Sequence, residues 1–422
     1  MIPRVVITGI GLLSPLGDRP EQFHDALCAG RSALGPIESF DTDPVPNAQA
    51  AEFADFDGRN YIEGNLRPLD RASMLSISAA TLALADAGLD PRAGGSEATA
   101  ADGSAEHGSA NSLVLGTMFG SIHTISEFDR RGLVAGPAYV KPLVFANTVI
   151  NAAAGQAAIR LGLNGINSTL AGGASGLQAL GYAADLVRSG RTQVALAGGL
   201  EELSLEALIG FRRAGRLAGS DDRAPQSVPY DVGRNGFSLG EGAALLVLET
   251  EENAQARGAQ VRGVLRGFGQ AFDPTRGASA ESASAAMARA VALALDDGDL
   301  SAEAIGCVFA SGNGSTSDLH EGRALAESLL GSRVPVSAIK SMTGETLGGS
   351  GAQQAVAALG ALEHGQVPGI KGLAQPEAAL AALDLSPLVR SPEGPAALIT
   401  ALSLDGAAAA LLLTATLNGQ GN

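Results

Sequence analysis

Short apolar runs alternate with longer helix-patterned stretches along the whole of this 422-residue chain, and that alternation restricts its fold more than any other feature. Val5-Val6-Ile7-Thr8 is a β-branched run that stops at Gly9, the pattern of a strand buried on both faces. Similar runs recur at residues 113–115, 194–197, 245–248, 261–268, 307–309 and 411–413. Helical patterns fall between them, at residues 72–87, 176–187, 284–295 and 351–363. In the second of these, Leu177, Leu180, Ala184 and Val187 stand three and four apart and share one helical face. The alternation predicts an α/β architecture with mainly parallel sheets. Because the strand pattern restarts after Glu249, we expect two related halves, residues 1–250 and 251–422. Residues 93–112, rich in Gly, Ser and Ala and without an apolar period, read as a surface loop.

With 45% apolar residues the chain can bury a large core, as one large or two intimately packed domains. Aromatics make up only 4%, so small side chains must do the close packing. A net charge of −16 argues against nucleic acid or an anionic membrane as partner, since like charges repel. The apolar runs are too short to span a bilayer, and the N-terminus lacks the apolar core of a secretory signal. A cytoplasmic location is expected. Cys28 and Cys307 have no paired spacing, which argues against a disulfide framework or a metal site. Gly9 and Gly11 follow a strand like a dinucleotide loop, but no third glycine opens a helix at the required offset.

Four segments carry a more specific signal: RVVITGIGLLSPLG at residues 4–17, VALAGGLEE at 194–202, VPYDVGRNGFSLGEGAALLVLE at 228–249 and KSMTGETLGGSG at 340–351. In this order and at these intervals they resemble the β-ketoacyl synthases of the thiolase superfamily, over essentially the whole chain. The resemblance implies a thiolase-like, five-layered αβαβα fold made of two related halves, with dimerisation through the first.

It also implies a chemistry. Decarboxylative condensation uses a cysteine at a helix N-terminus, whose thiolate carries the acyl chain. Two imidazoles assist decarboxylation and stabilise the enolate oxygen. In this chain the nucleophile position is taken by Gly173, just before the Ser175-Gly176 step that opens a helix. Ser311 stands at the first histidine position and Glu345 at the second. The segment 167–176 is about one residue shorter than the family pattern, and Ser403-Leu404-Asp405-Gly406 replaces the family's Gly-Phe-Gly-Gly loop. Cys28, at a helix end, and Cys307, in a core strand, read as packing. His24, His107, His123, His320 and His364 lie outside the family's catalytic motifs and read mostly as surface or loop residues. Ser311 and Ser175 have no neighbouring histidine to activate them. An ionised Glu345 would oppose an enolate's charge unless its pKa were strongly raised. What the chain keeps of the family pattern is Lys340, Asp318, Glu321, Glu201, Asp231, Arg234 and Glu241, which the resemblance assigns to buried polar networks.

The scaffold is kept and the reaction is not. That contrast is similar to the ketosynthase β subunits, or chain-length factors, of type II polyketide systems. The resemblance implies a heterodimer with an active ketosynthase, working with a phosphopantetheine-bearing acyl carrier protein that docks mainly on the partner, and no tightly bound cofactor. Residues 113–131 and 141–151 would lie near the shared interface. Ile122, Ile125 and Phe128 would line the end of the acyl tunnel. A malonyl-carrier-protein decarboxylase or other acyl-transfer enzyme, and a homodimeric acyl-binding scaffold, are the alternatives.

Overall fold

The computed structural model of the chain describes residues 3–89, 112–221, 223–329 and 333–415. Eleven strands are hydrogen-bonded in series. Five belong to the first half: β1 (Val5–Leu13), β2 (Ser112–Thr117), β3 (Asn167–Ala171), β4 (Val194–Glu201) and β5 (Gly242–Thr250). The others are β6 (Gly263–Phe272), β7 (Ile305–Phe309), β8 (Pro335–Ser337), β9 (Asp384–Leu385), β10 (Ala396–Leu402) and β11 (Ala407–Thr414). From the junction outward the order is β1-β5-β4-β2-β3 on one side and β6-β11-β10-β7-β8 on the other, with β9 beyond β8. On each side two antiparallel pairings are followed by two parallel ones. The halves therefore repeat one topology, and they join where Val5–Ile7 of β1 pair antiparallel with residues 263–265 of β6.

The expectation of mainly parallel sheets is corrected: the sheet is mixed. The physical reason is visible at β10 and β11, which are linked only by residues 403–406. So short a turn can reverse the chain but cannot carry the crossover that a parallel neighbour needs.

The principal helices are α1 (Pro20–Cys28), α2 (Arg71–Asp86), α3 (Ile122–Ala135), α4 (Ala152–Leu161), α5 (Ser175–Arg188), α6 (Leu205–Arg213), α7 (Ala280–Gly298), α8 (Ser317–Ser328) and α9 (Ser350–His364). Helices α5 and α9 touch each other and strands of both halves, forming the middle layer. Helices α2 and α4 cover the outer face of the first half, and α7 and α8 that of the second. The result is the αβαβα stack. Ala355, Ala357, Ala358 and Ala361 of α9 are all buried there, so small side chains let the middle helices close on both halves of the sheet at once.

Two sequence assignments shift. Strand β1 runs on past Gly9 to Leu13. A Cβ on Gly9 or Gly11 would run into the backbone of α2 at Ala83 or Ala79, so these glycines mark a close helix–strand approach rather than a strand end. Of the expected loop 93–112, residues 93–111 lie outside the described residues, together with His107. Ser112 instead opens β2, buried, with its hydroxyl donating to Thr192 Oγ1 at 2.9 Å. Among the described residues no helix is long and apolar enough to cross a membrane.

Candidate active site

The site forms where β3 ends and α5 begins. The chain leaves Ala171, turns through Gly172 at φ +140°, and enters α5 at Ser175, whose hydroxyl donates to the Gly172 carbonyl at 2.7 Å. Gly173 lies in this turn. Its N–H donates to Asp405 Oδ2 at 3.2 Å, and a Cβ there would overlap Ser403 Oγ. The turn after β10 thus fills the space that any side chain at position 173 would need.

Ser311 follows β7 and Glu345 follows a short helix, Lys340–Thr343. Both reach the same pocket as Gly173, with Met118, Phe211, Phe237 and Leu404 as apolar walls. The cavity they share is small, about 30 Å³, room for water. Ser311 Oγ accepts from Leu402 N at 3.1 Å and from Lys340 Nζ at 3.4 Å. Lys340 Nζ in turn donates to Glu345 Oε2 at 2.8 Å, and Asn313 Nδ2 donates to the same oxygen at 2.8 Å. The other oxygen, Oε1, accepts from Ser350 Oγ at 2.7 Å and Leu347 N at 3.0 Å. Glu345 therefore spends its lone pairs inside the protein. An ammonium held by this carboxylate is also no base for Ser311.

The other residues singled out in the sequence sit in polar networks. Asp318 accepts from the backbone N–H groups of Tyr230, Asn313 and Gly314, and burial pushes its carboxyl up to about 6. Glu321 accepts from Tyr230 Oη, Ser311 N and Thr400 Oγ1. Arg234 donates to Glu377 Oε1 at 2.6 Å and to the carbonyls of Asp231 and Ser315. At Asp231 burial works upward, but the N–H groups of Gln375, Gly233 and Ala374 outweigh it and hold the carboxyl below its ordinary value. Glu241 pairs with Arg71. Burial pushes Glu201 up to about 7, against donation from Met118, Phe119, Gly348 and Thr117.

Ile122, Ile125 and Phe128 lie half-buried along α3 and do not line the pocket, and the Phe128 ring stands 6.0 Å from that of Phe145. Cys307 is buried in β7, while Cys28 ends α1 only partly buried, its Sγ 3.5 Å from His24 Nε2. The reading of the histidines as mostly surface residues fails at His24, which is buried because its ring packs onto Gly360 of α9 and stacks on His364. Residue types gave no hint of two further features. One is the contact of Asp405 with Gly173; the other is the aromatic row Phe119–Phe211–Phe237, with ring centroids 5.9 and 5.2 Å apart, beside the pocket.

A twice-repeated mixed sheet around two middle helices, with its pocket at the start of one of them, defines a thiolase-like protein. The chain belongs to the β-ketoacyl synthase family: the family's N-terminal domain matches residues 3–254 and its C-terminal domain residues 262–373. It is 32% identical to 3-oxoacyl-(acyl-carrier-protein) synthase 2 of Vibrio cholerae, over 92% of each chain. It is 34% identical to the granaticin polyketide putative beta-ketoacyl synthase 1 of Streptomyces violaceoruber, over 89% of this chain and 90% of that one. Among solved structures, the ishigamide ketosynthase/chain length factor superposes with a TM-score of 0.88 at 30% identity, covering 98% of this chain and all 100% of the other.

Proposed function

We propose that this chain is a non-elongating ketosynthase-like subunit, a chain-length factor, that pairs with an active β-ketoacyl synthase in polyketide, polyene or other fatty-acyl biosynthesis and shapes its acyl tunnel. One observation carries the reading. Where condensation needs a thiolate and two imidazoles, the pocket holds Gly173, Ser311 and a Glu345 already bound to Lys340.

The surface supports a partner. Leu133, Leu143 and Ile159 are 86%, 90% and 79% exposed, with Val134 and Phe145 beside them in sequence. Apolar side chains so exposed suit an interface. Among the described residues strand β3 ends the sheet on this half, and such an edge can pair with another chain. The acyl carrier protein, through its phosphopantetheine arm, would serve mainly the partner, since a net charge of −16 disfavours an acidic protein here.

The test is co-expression with the matching active ketosynthase. A stable 1:1 complex is expected, and the chain alone is expected to make no β-ketoacyl product from acyl and malonyl carrier proteins. Elongation by the isolated chain, or a monomer that ignores every candidate synthase, refutes the reading. Malonyl decarboxylation by the chain alone would favour an acyl-transfer enzyme instead, and a stable homodimer that takes no synthase would favour the scaffold.

A further inference from the structure

The turn at residues 403–406 does more than connect β10 to β11. Asp405 Oδ2 accepts the Gly173 N–H at 3.2 Å, while its Oδ1 accepts Ala407 N at 3.0 Å, so the carboxylate is fixed from both sides. Ser403 Oγ lies where a Cβ of Gly173 would be, and Asp405 Oδ2 crowds the same position on Gly172. Leu404 packs against the apolar cluster that holds Phe211, Phe237 and Leu347. Ser403 N and Gly406 N close the turn on the Ala407 and Ser403 carbonyls at 2.9 and 3.0 Å. What remains of the pocket is the 30 Å³ already described.

A backbone N–H at the start of a helix is the kind of group that binds a carbonyl or carboxylate oxygen. Here that group already has an oxygen, supplied by the chain itself from 232 positions away. We infer that residues 403–406 are an internal plug, in which Asp405 stands in for the carbonyl oxygen of an acyl thioester and Ser403 and Leu404 fill its acyl space. The plug makes this pocket refuse acyl thioesters, so in a complex every acyl chain resides in the partner's site. Its complement is glycine at positions 172 and 173, the residues whose missing side chains admit it. The inference rests on the non-elongating reading and adds the residues that enforce it.

The experiment uses the isolated full chain and needs no partner, so its outcome is separate from the co-expression test. Amide hydrogen exchange at Gly173 is measured in the native chain and in Asp405→Asn and Asp405→Ala. Asn retains an acceptor oxygen and should leave exchange close to native. Ala removes it and should speed exchange by roughly tenfold, the scale of one lost hydrogen bond. Binding of octanoyl-pantetheine amide, a non-hydrolysable thioester mimic, is then followed by calorimetry and by saturation transfer. The native chain should show none, and the folded Ser403→Gly/Asp405→Ala variant should bind it saturably. If that variant does not fold, Leu404→Ala serves for the binding measurement and Asp405→Asn against native chain for exchange. Binding of the mimic by the native pocket overturns the plug. So does a folded opened variant that still refuses it, or Gly173 exchange that is indifferent to Asp405→Ala or is speeded as strongly by Asn.

Discussion

Lys340 Nζ lies 2.8 Å from Glu345 Oε2 on the floor of the pocket, with the two side chains only 6% and 8% exposed. They stand on either side of Gly344, whose φ of +69° folds the chain back and lets residues five apart meet. The pair is neutral as a unit, and Asn313, Ser350 and Leu347 satisfy the remaining acceptor capacity of the carboxylate. A buried pair of this kind contributes little relative to well-packed apolar residues, yet removing one partner strands a charge in low dielectric.

Glu345→Ala should therefore destabilise the chain by about 3–5 kcal/mol. The double variant Glu345→Leu/Lys340→Met, which removes both charges, should recover much of that loss. Urea titration of the three proteins decides it. A Glu345→Ala loss below about 1 kcal/mol would mean that the pair behaves as a solvated surface bridge.

Glu202 should make stability depend on pH. Burial pushes its carboxyl up to about 8; donation from His123 N opposes this, and Asp70, Glu201 and Glu241 reinforce it. The folded chain thus holds this proton more tightly than the unfolded chain, whose carboxyl keeps its ordinary value. The contribution is fully present below the ordinary carboxylate range and is lost as pH rises through about 8. Glu202→Gln, which cannot ionise, should gain on the native chain by a few kcal/mol, to order of magnitude, between pH 5 and pH 9. A constant stability difference across that range would place a charged, compensated Glu202 in the fold.

Both thiols should be sluggish. Burial pushes Cys307 up to about 12, and burial together with Asp25 raises Cys28. Cerulenin should label neither at neutral pH, and a small disulfide reagent should reach the partly buried Cys28 before Cys307. Stoichiometric labelling of either by cerulenin would move the active site elsewhere. Gly173→Cys alone should remain inactive, because its Cβ must displace Ser403 and because neither Ser311 nor Glu345 can act as an imidazole. Appreciable synthesis by that variant would show the histidines to be dispensable.

Product length should respond to α3 in the assembled complex. Ile122, Ile125 and Phe128 follow one another at intervals of three along this helix. Phe128→Ala or Ile125→Ala should lengthen the products, and Ile122→Phe should shorten them, since an apolar channel tolerates added volume poorly. Mass spectrometry of the reconstituted pair reads this directly. An unchanged distribution in all three active complexes would leave these residues as interface packing.

Much of the fold was legible because its signals are local. The run at 194–197 lies within β4 and the pattern at 176–187 within α5, since an apolar period needs only neighbours to express it. Strand β3 was missed: apart from Leu170 its residues Asn167–Ala171 are polar or small, and their pairing with β2, not their own pattern, makes them a strand. Gly9 was misread as a strand end for a similar reason, because what it answers to is the backbone of α2 more than seventy residues away.

By itself the sequence determined the order of the elements and the residue types standing at positions 173, 311 and 345, because identity at a position is carried by the chain alone. None of the three is a cysteine or a histidine. Only the tertiary structure decided what those positions do instead. Lys340 neutralises Glu345, and Asp405 takes the N–H of Gly173. The two contacts arise differently: Lys340 and Glu345, five residues apart, meet because the backbone turns back at Gly344, whereas Asp405 reaches Gly173 across 232 positions because the strands and helices pack one way.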